Sequence, residues 1–245
     1  MKITAEEELM YKVMTAIYNS SVPVNFKGSM VLKAYLHEAG YLEETRHTVD
    51  IDANWYSDAP PTAKQMAESM QVAIQNSGLD LNVSLYRMYG EGRSAGLELS
   101  DSSTDEILFT MDVDVNRPMQ ETKLYEIAGV KFRGIVPSQM IADKLAVVSS
   151  DKVFRRIKDV VDLYYMSKVL DFNTQDILQS LENSGRILGE FDGFLNRTGE
   201  LKHSYDKFRF NGDVNKPGFD EIYCRVKNYI EDILPPQAES DACNA

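Results

Sequence analysis

Cysteine and histidine are the residues this chain lacks most. Its 245 residues include two cysteines, Cys224 and Cys243, and three histidines, His37, His47 and His203. Two cysteines, one of them in a polar tail, cannot build a disulfide framework or a cysteine-rich zinc site. The scattered histidines form no HExxH pair, so a histidine-held zinc centre is not expected either. Long apolar runs are missing as well. None approaches the ~18–20 residues that a membrane helix needs, and no membrane partner is expected. The opening MKITAEEELMYKV carries three consecutive glutamates and no apolar core, so it does not read as a secretory signal, and the expected compartment is the cytoplasm. Positive charge is short too. The 26 lysines and arginines face 38 acids, for a net −12, a balance that disfavours broad nonspecific nucleic-acid binding. Any chemistry must come from carboxylates, lysines, hydroxyls and backbone amides.

What is present suffices for a globular protein: hydrophobic residues make up 43% of the chain, enough to bury a large core. The charge is uneven. Between Lys131 and Lys158 seven bases face two acids, so that stretch is +5 and the remainder −17. A basic island in an acidic chain marks either an anion site or a solvated helix face.

Periodicity predicts a helix over 4–18, a short extended run over 24–27, a turn at Gly28-Ser29 and a helix over 30–39 capped by Gly40. Residues 46–55 alternate at period two, with Thr48, Asp50, Asp52 and Asn54 on one face. A helix of about 15 residues follows Pro60-Pro61-Thr62, and strands over 81–89, 94–100 and 106–115 form an antiparallel meander. Another strand spans 130–136, and Pro137 opens a helix to about Val148. The next helix, N-capped by 149–151, runs to about Val169, with further helices at 174–183, 200–210 and 217–233 around a glycine-broken stretch at 185–199. The expected organisation is a mixed α/β core over 1–136, a helical part over 137–235 and a disordered tail over 236–245.

Three groups of residues could carry chemistry. Asp50 and Asp52 share a strand face, ~6.5–7 Å apart at Cα, and converge on a space suited to a hard divalent cation. Gly28-Ser29 stands at a helix start, where free N–H groups, the helix dipole and the Ser29 hydroxyl favour phosphate. A phosphate seat beside paired carboxylates is the equipment of nucleotidyl transfer. An EF-hand is excluded, because Trp55 and Pro61 stand where its glycine and its glutamate are needed. A dehalogenase-like phosphatase fits poorly, lacking DxDGT. The second group is Asp112 and Asp114, which share a face with Thr110. They are either a solvated sheet face or a third metal carboxylate meeting Asp50 and Asp52. The third is Lys144, with Asp159 and Asp162 on one helix face 15 and 18 residues later. Local spacing pairs Arg155 with Asp159 and Lys158 with Asp162 at i,i+4.

Together these segments resemble the AbiEii/AbiGii-type nucleotidyltransferase toxins of the polymerase-β-like superfamily. Phe26-Lys27-Gly28-Ser29-Met30-Val31-Leu32 looks like the family's FKGGTAL-type opening. Arg46-His47-Thr48-Val49-Asp50-Ile51-Asp52 looks like its RxSxDhD strand, and Lys158-Asp159-Val160-Val161-Asp162-Leu163-Tyr164 like its KDxxDLY motif, with Lys144 at the expected spacing. The similarity covers roughly residues 24–166. Ser29 replaces a second glycine, and twenty residues separate it from Asp50, more than is usual.

The resemblance implies Mg²⁺-dependent (or Mn²⁺-dependent) transfer of a nucleoside monophosphate from an NTP to an acceptor, with release of pyrophosphate. Asp50, Asp52 and Asp112 would hold the metal, Asp112 favoured over Asp114 because an apolar run precedes it. Gly28 and Ser29 would seat the β- and γ-phosphates, and Lys144 would neutralise triphosphate charge. Asp159 would position Lys144 or the acceptor, or act as a base, and Asp162 would be structural. In the family such enzymes are bacterial toxins paired with an antitoxin, and some modify tRNA. The acidic surface suits a cationic small-molecule acceptor such as an aminoglycoside better. A non-catalytic module that binds nucleotide or a protein partner is the alternative of a different class.

Overall fold

The computed structural model describes residues 3–41, 43, 45–115, 118, 120–170, 173–210 and 215–234. The expected tail over 236–245 lies outside them. The chain begins with α1 (Ala5–Asn19), whose N-terminus is closed by a capping box between Thr4 and Glu7. Strand β1 (Val24–Lys27) runs straight into α2 (Gly28–Glu38), and β2 (Asp50–Trp55) is followed by α3 (Ala63–Asn76), which has a second capping box between Thr62 and Gln65. Strands β3 (Leu81–Tyr89), β4 (Ser94–Asp101) and β5 (Ile107–Asp114) form the meander, and β6 (Thr122–Ile127) and β7 (Val130–Ile135) form a hairpin.

All seven strands make one sheet in the order β3-β4-β5-β2-β1-β7-β6. It is mixed: β1 pairs antiparallel with β2 and parallel with β7, while β2 pairs parallel with β5. One face carries the apolar set Phe26, Ile51, Ala53, Leu97, Met111 and Val113, all buried, and helices α1, α2 and α3 pack against the sheet. The alternation that buries these residues turns Lys27, Asp52, Asp112 and Asp114 to the other face.

The rest of the chain is helical: α4 (Pro137–Val148), a 3-10 turn over Val153–Arg156, then α5 (Ile157–Ser167), α6 (Thr174–Asn183), α7 (Asp192–Leu195), α8 (Thr198–Lys207) and α9 (Phe219–Ile233). The architecture is therefore a mixed α/β core followed by a helical half. Helix α2 joins the two, packing on β1 and β2 from one side and on α4 and α5 from the other.

Four local expectations change. Strand β2 starts at Asp50, not at 46, because its pairing stops there: β1 pairs from Trp55 only to Asp52, and β5, which itself extends back to Ile107, pairs only as far as Asp50. Thr48 instead folds its hydroxyl back onto the Asp50 carboxylate at 2.8 Å. Gly28-Ser29 is the first turn of α2 itself, not a separate turn. The helix expected from 151 to 169 is divided, with the 3-10 turn before α5. Strand β6 was not anticipated. Its hairpin turns at Ala128 and Gly129, both at positive φ (52° and 76°), and alanine is not a residue that announces such a turn.

Candidate active site

Lys27 is the last residue of β1, and the chain enters α2 at once through Gly28 at φ 72°. A Cβ on Gly28 would lie 2.3 Å from Asp52 Oδ2. Glycine is thus required twice over, for its backbone conformation and for the approach of the carboxylate. Gly28→Ala is expected to destabilise the fold by ~1 kcal/mol or more and to push Asp52 aside. A melting curve that matches the wild type would refute the tight packing described. No side chain caps α2, so its first N–H groups lack a capping partner beside the cleft that Gly28 and Ser29 line, the kind of position that favours an anion. The Ser29 hydroxyl accepts a 2.5 Å hydrogen bond from Arg46 Nη2.

A cleft of about 430 Å³ opens over this turn. Gly28, Ser29, Asp50, Asp52, Lys144 and Asp159 all line it, and so do Asp112 and Asp114. The residues singled out in five separate stretches of sequence therefore meet in one place. Asp112 sits directly beside Asp52 in the parallel β2–β5 register, on the face that lines the cleft.

The carboxylates differ in how they are held. Asp52 accepts no hydrogen bond and makes no ion pair among the described residues; burial and the neighbouring Asp50 push its carboxyl above the usual range, against the pull of Lys27, Lys158 and Lys144. Both oxygens of Asp112 accept from Arg87 Nη2, at 2.9 and 2.7 Å. Asp114 takes Lys27 Nζ at 2.6 Å and the Tyr89 hydroxyl. Among the described residues no group of three or more His, Cys, Asp or Glu side chains is arranged as a ready metal cluster. The donor chemistry at Asp50 and Asp52 nonetheless fits a hard cation: two half-buried carboxylates line one cleft, and Asp52 has no counter-charge in contact.

Across the cleft Lys144 Nζ donates to Asp159 Oδ1 at 2.7 Å and to Asp162 Oδ2 at 2.6 Å. Burial alone would lower the lysine's pKa, but Asp162 and Asp159 more than offset it and hold the ammonium charged. Asp162 also takes Arg46 Nε at 2.9 Å, and Asp159 takes Arg156 Nε at 2.8 Å. Despite their burial both carboxyls are held below the usual range, Asp159 chiefly by Lys144 and Asp162 chiefly by Arg46. An unbroken chain of contacts thus runs from Ser29 through Arg46, Asp162, Lys144 and Asp159 to Arg156. It ties the first turn of α2 to helices α4 and α5.

The expected i,i+4 pairs do not form. Asp159 takes Arg156 rather than Arg155, and Asp162 takes Arg46 and Lys144 rather than Lys158. Both acids are buried; Lys144 and Arg156 come from the cleft wall and Arg46 from the smaller pocket that Asp162 also lines, while Arg155 lies near the Phe154 ring. Sequence reasoning gave no role to Lys27, Arg87 or Arg156. Arg46 had a signal, its place at the head of the Asp50-Asp52 segment, but nothing in that segment names its partner.

No family model matches this chain, and no curated protein sequence matches it. Among solved structures it is similar to the nucleotidyltransferase toxin MenT4 of Mycobacterium tuberculosis H37Rv, with a TM-score of 0.58. The match covers 95% of this chain and 84% of that one, at 13% identity. The chain has the fold of a nucleotidyltransferase toxin. At that identity the likeness is one of fold, and the chemistry of this cleft rests on its own residues. No helix among the described residues is long and apolar enough to cross a membrane.

Proposed function

We propose that this protein is a nucleotidyltransferase that moves a nucleoside monophosphate from an NTP to an acceptor and releases pyrophosphate. One observation carries the reading: the uncapped N-terminus of α2, the Asp50–Asp52 pair and the half-buried ammonium of Lys144 line the same cleft, in a chain with the fold of a nucleotidyltransferase toxin.

The first N–H groups of α2 and the Ser29 hydroxyl bind the β- and γ-phosphates, and Arg46 fixes that hydroxyl. Asp50 and Asp52 would hold Mg²⁺ or Mn²⁺, with Asp112 as a further ligand. When bound, the cation polarises the phosphoryl oxygens and offsets triphosphate charge. Lys144 adds a fixed positive charge where negative charge develops on the transferred phosphoryl group. Asp159, held ionised by Lys144 and Arg156, is a poor general base and acts by positioning Lys144. Lys158 and Arg186 also line the cleft, a cationic wall that suits an anionic acceptor such as tRNA. The overall charge of −12 keeps an aminoglycoside-like acceptor as the second reading. By its likeness to a toxin the chain would have a cognate antitoxin as partner.

The test supplies each α-labelled NTP with Mg²⁺, with bulk tRNA or with an aminoglycoside. Label should pass from one NTP to one acceptor class. Absence of transfer to either acceptor, together with no NTP-induced rise in melting temperature, would overturn the reading and leave a non-catalytic module.

A further inference from the structure

One register row crosses the open face of the sheet: Arg87 on β3, Gly96 on β4, Asp112 on β5, Asp52 on β2 and Lys27 on β1. Arg87 reaches that face only because β3 breaks register between Leu85 and Arg87. With regular alternation it would share the face of Leu85, which borders the groove between β3 and α3. The side chain then passes over Gly96. A Cβ there would lie 2.5 Å from Arg87 Cγ and 2.7 Å from its Nε. A bulge and a glycine thus combine to deliver one guanidinium to Asp112, where Nη2 binds both carboxylate oxygens. The rings of Tyr86 and Tyr89 lie 5.2 Å from its guanidinium carbon. The ion pair remains open to water, with Arg87 51% and Asp112 33% exposed, which makes it a weak and reversible contact.

We propose that Arg87 is a displaceable stand-in for a divalent cation at Asp112. It neutralises that carboxylate in the nucleotide-free protein and confines cation binding to Asp50 and Asp52. Asp112 joins the donor set only when Arg87 withdraws. This rests on the nucleotidyl-transfer reading of the cleft and goes beyond it by assigning Arg87 control over the order in which the carboxylates are used. It makes Arg87 a positioning residue: it acts through Asp112.

The test is a titration of the full-length protein with Mn²⁺ alone, following free Mn²⁺ by its paramagnetic resonance signal. The wild type should bind at Asp50 and Asp52 only, and Asp52→Asn should lose that binding. Arg87→Ala should gain a second Mn²⁺ or bind about fivefold more tightly, the scale of an exposed ion pair removed. Adding Asp112→Asn to Arg87→Ala should cancel the gain. Gly96→Ala, which expels Arg87 by contact, should reproduce the gain independently and serves if Arg87→Ala does not fold. Wild-type binding in both Arg87→Ala and Gly96→Ala overturns the role of Arg87 while leaving the cleft reading intact. A gain that survives Asp112→Asn also overturns it, because the effect is then general electrostatics. No Mn²⁺ binding in any of these proteins overturns both readings.

Discussion

Asp52→Asn should make the ligand-free protein more stable while removing its function. In the folded state this carboxylate is half-buried beside Asp50 with no partner in contact, and its carboxyl is raised above the usual range. A carboxyl raised on folding binds its proton more tightly in the native state than in the unfolded chain. Its ionised form therefore costs stability at neutral pH, and the wild type regains that stability as the pH falls through the raised native value towards the unfolded ~3.9. Asparagine removes the charge at nearly constant volume. The variant should melt above the wild type at pH 7, and the difference should shrink on acidification. Mg²⁺ with NTP should then produce no further rise, because binding to the native state alone is what stabilises it. Turnover should fall at least ~10²-fold, the loss typical of one preorganised electrostatic group. A lower melting temperature with the ligand-induced shift retained would return Asp52 to a structural role.

The parts of the site legible in the sequence are those set by local geometry. Period two on one strand puts Asp50 and Asp52 on a common face, and a helix start after a glycine marks a candidate anion seat. Period 3.6 places Asp159 and Asp162 on one helix face. The meander β3–β4–β5 and helices α1, α3 and α4 were legible for the same reason, since their patterns lie within single runs of residues. The partners of these groups were not. Arg46 and Asp162 are 116 residues apart, and Lys27 and Asp114 are 87 apart. Reasoning at i,i+4 assigned Asp159 and Asp162 to neighbours on their own helix, but a carboxylate that turns inward takes its counter-charge from whichever element packs there. The Arg87–Gly96–Asp112 row was hidden for a different reason. It depends on a bulge, and one residue of slip moves a side chain to the opposite face of the sheet. Strand β6 was missed because Ala128 stands at the first turn position, where Asn, Asp or Gly is the usual signal of a tight hairpin.

Lys144→Ala is expected to cost both stability and turnover, and pH separates the two. In the native protein Lys144 lies between two almost fully buried carboxylates, with Asp159 3% and Asp162 2% exposed. Removing one partner from a buried ion-pair network costs ~3–5 kcal/mol, and the lower end applies because Arg156 and Arg46 still hold one carboxylate each. For a chain of this size that is a fall in melting temperature of about 6–12 °C. Both carboxyls are lowered on folding, so the wild-type network contributes fully above the unfolded carboxylate value of ~3.9 and loses its contribution as the pH falls below it. The gap between wild type and Lys144→Ala should therefore be widest near neutral pH and narrow progressively below pH ~4. A gap that stays constant down to pH 3 would mean that lost packing, not the lost charge, sets the stability cost. Turnover is read separately at neutral pH, at a temperature where both proteins are folded. There the loss should be ~10²-fold or more, with NTP affinity changed far less, because the ammonium acts on charge that develops during transfer. A variant that is destabilised yet turns over normally would make Lys144 a strut between α4 and α5 and would leave catalysis to the carboxylates and the α2 N-terminus.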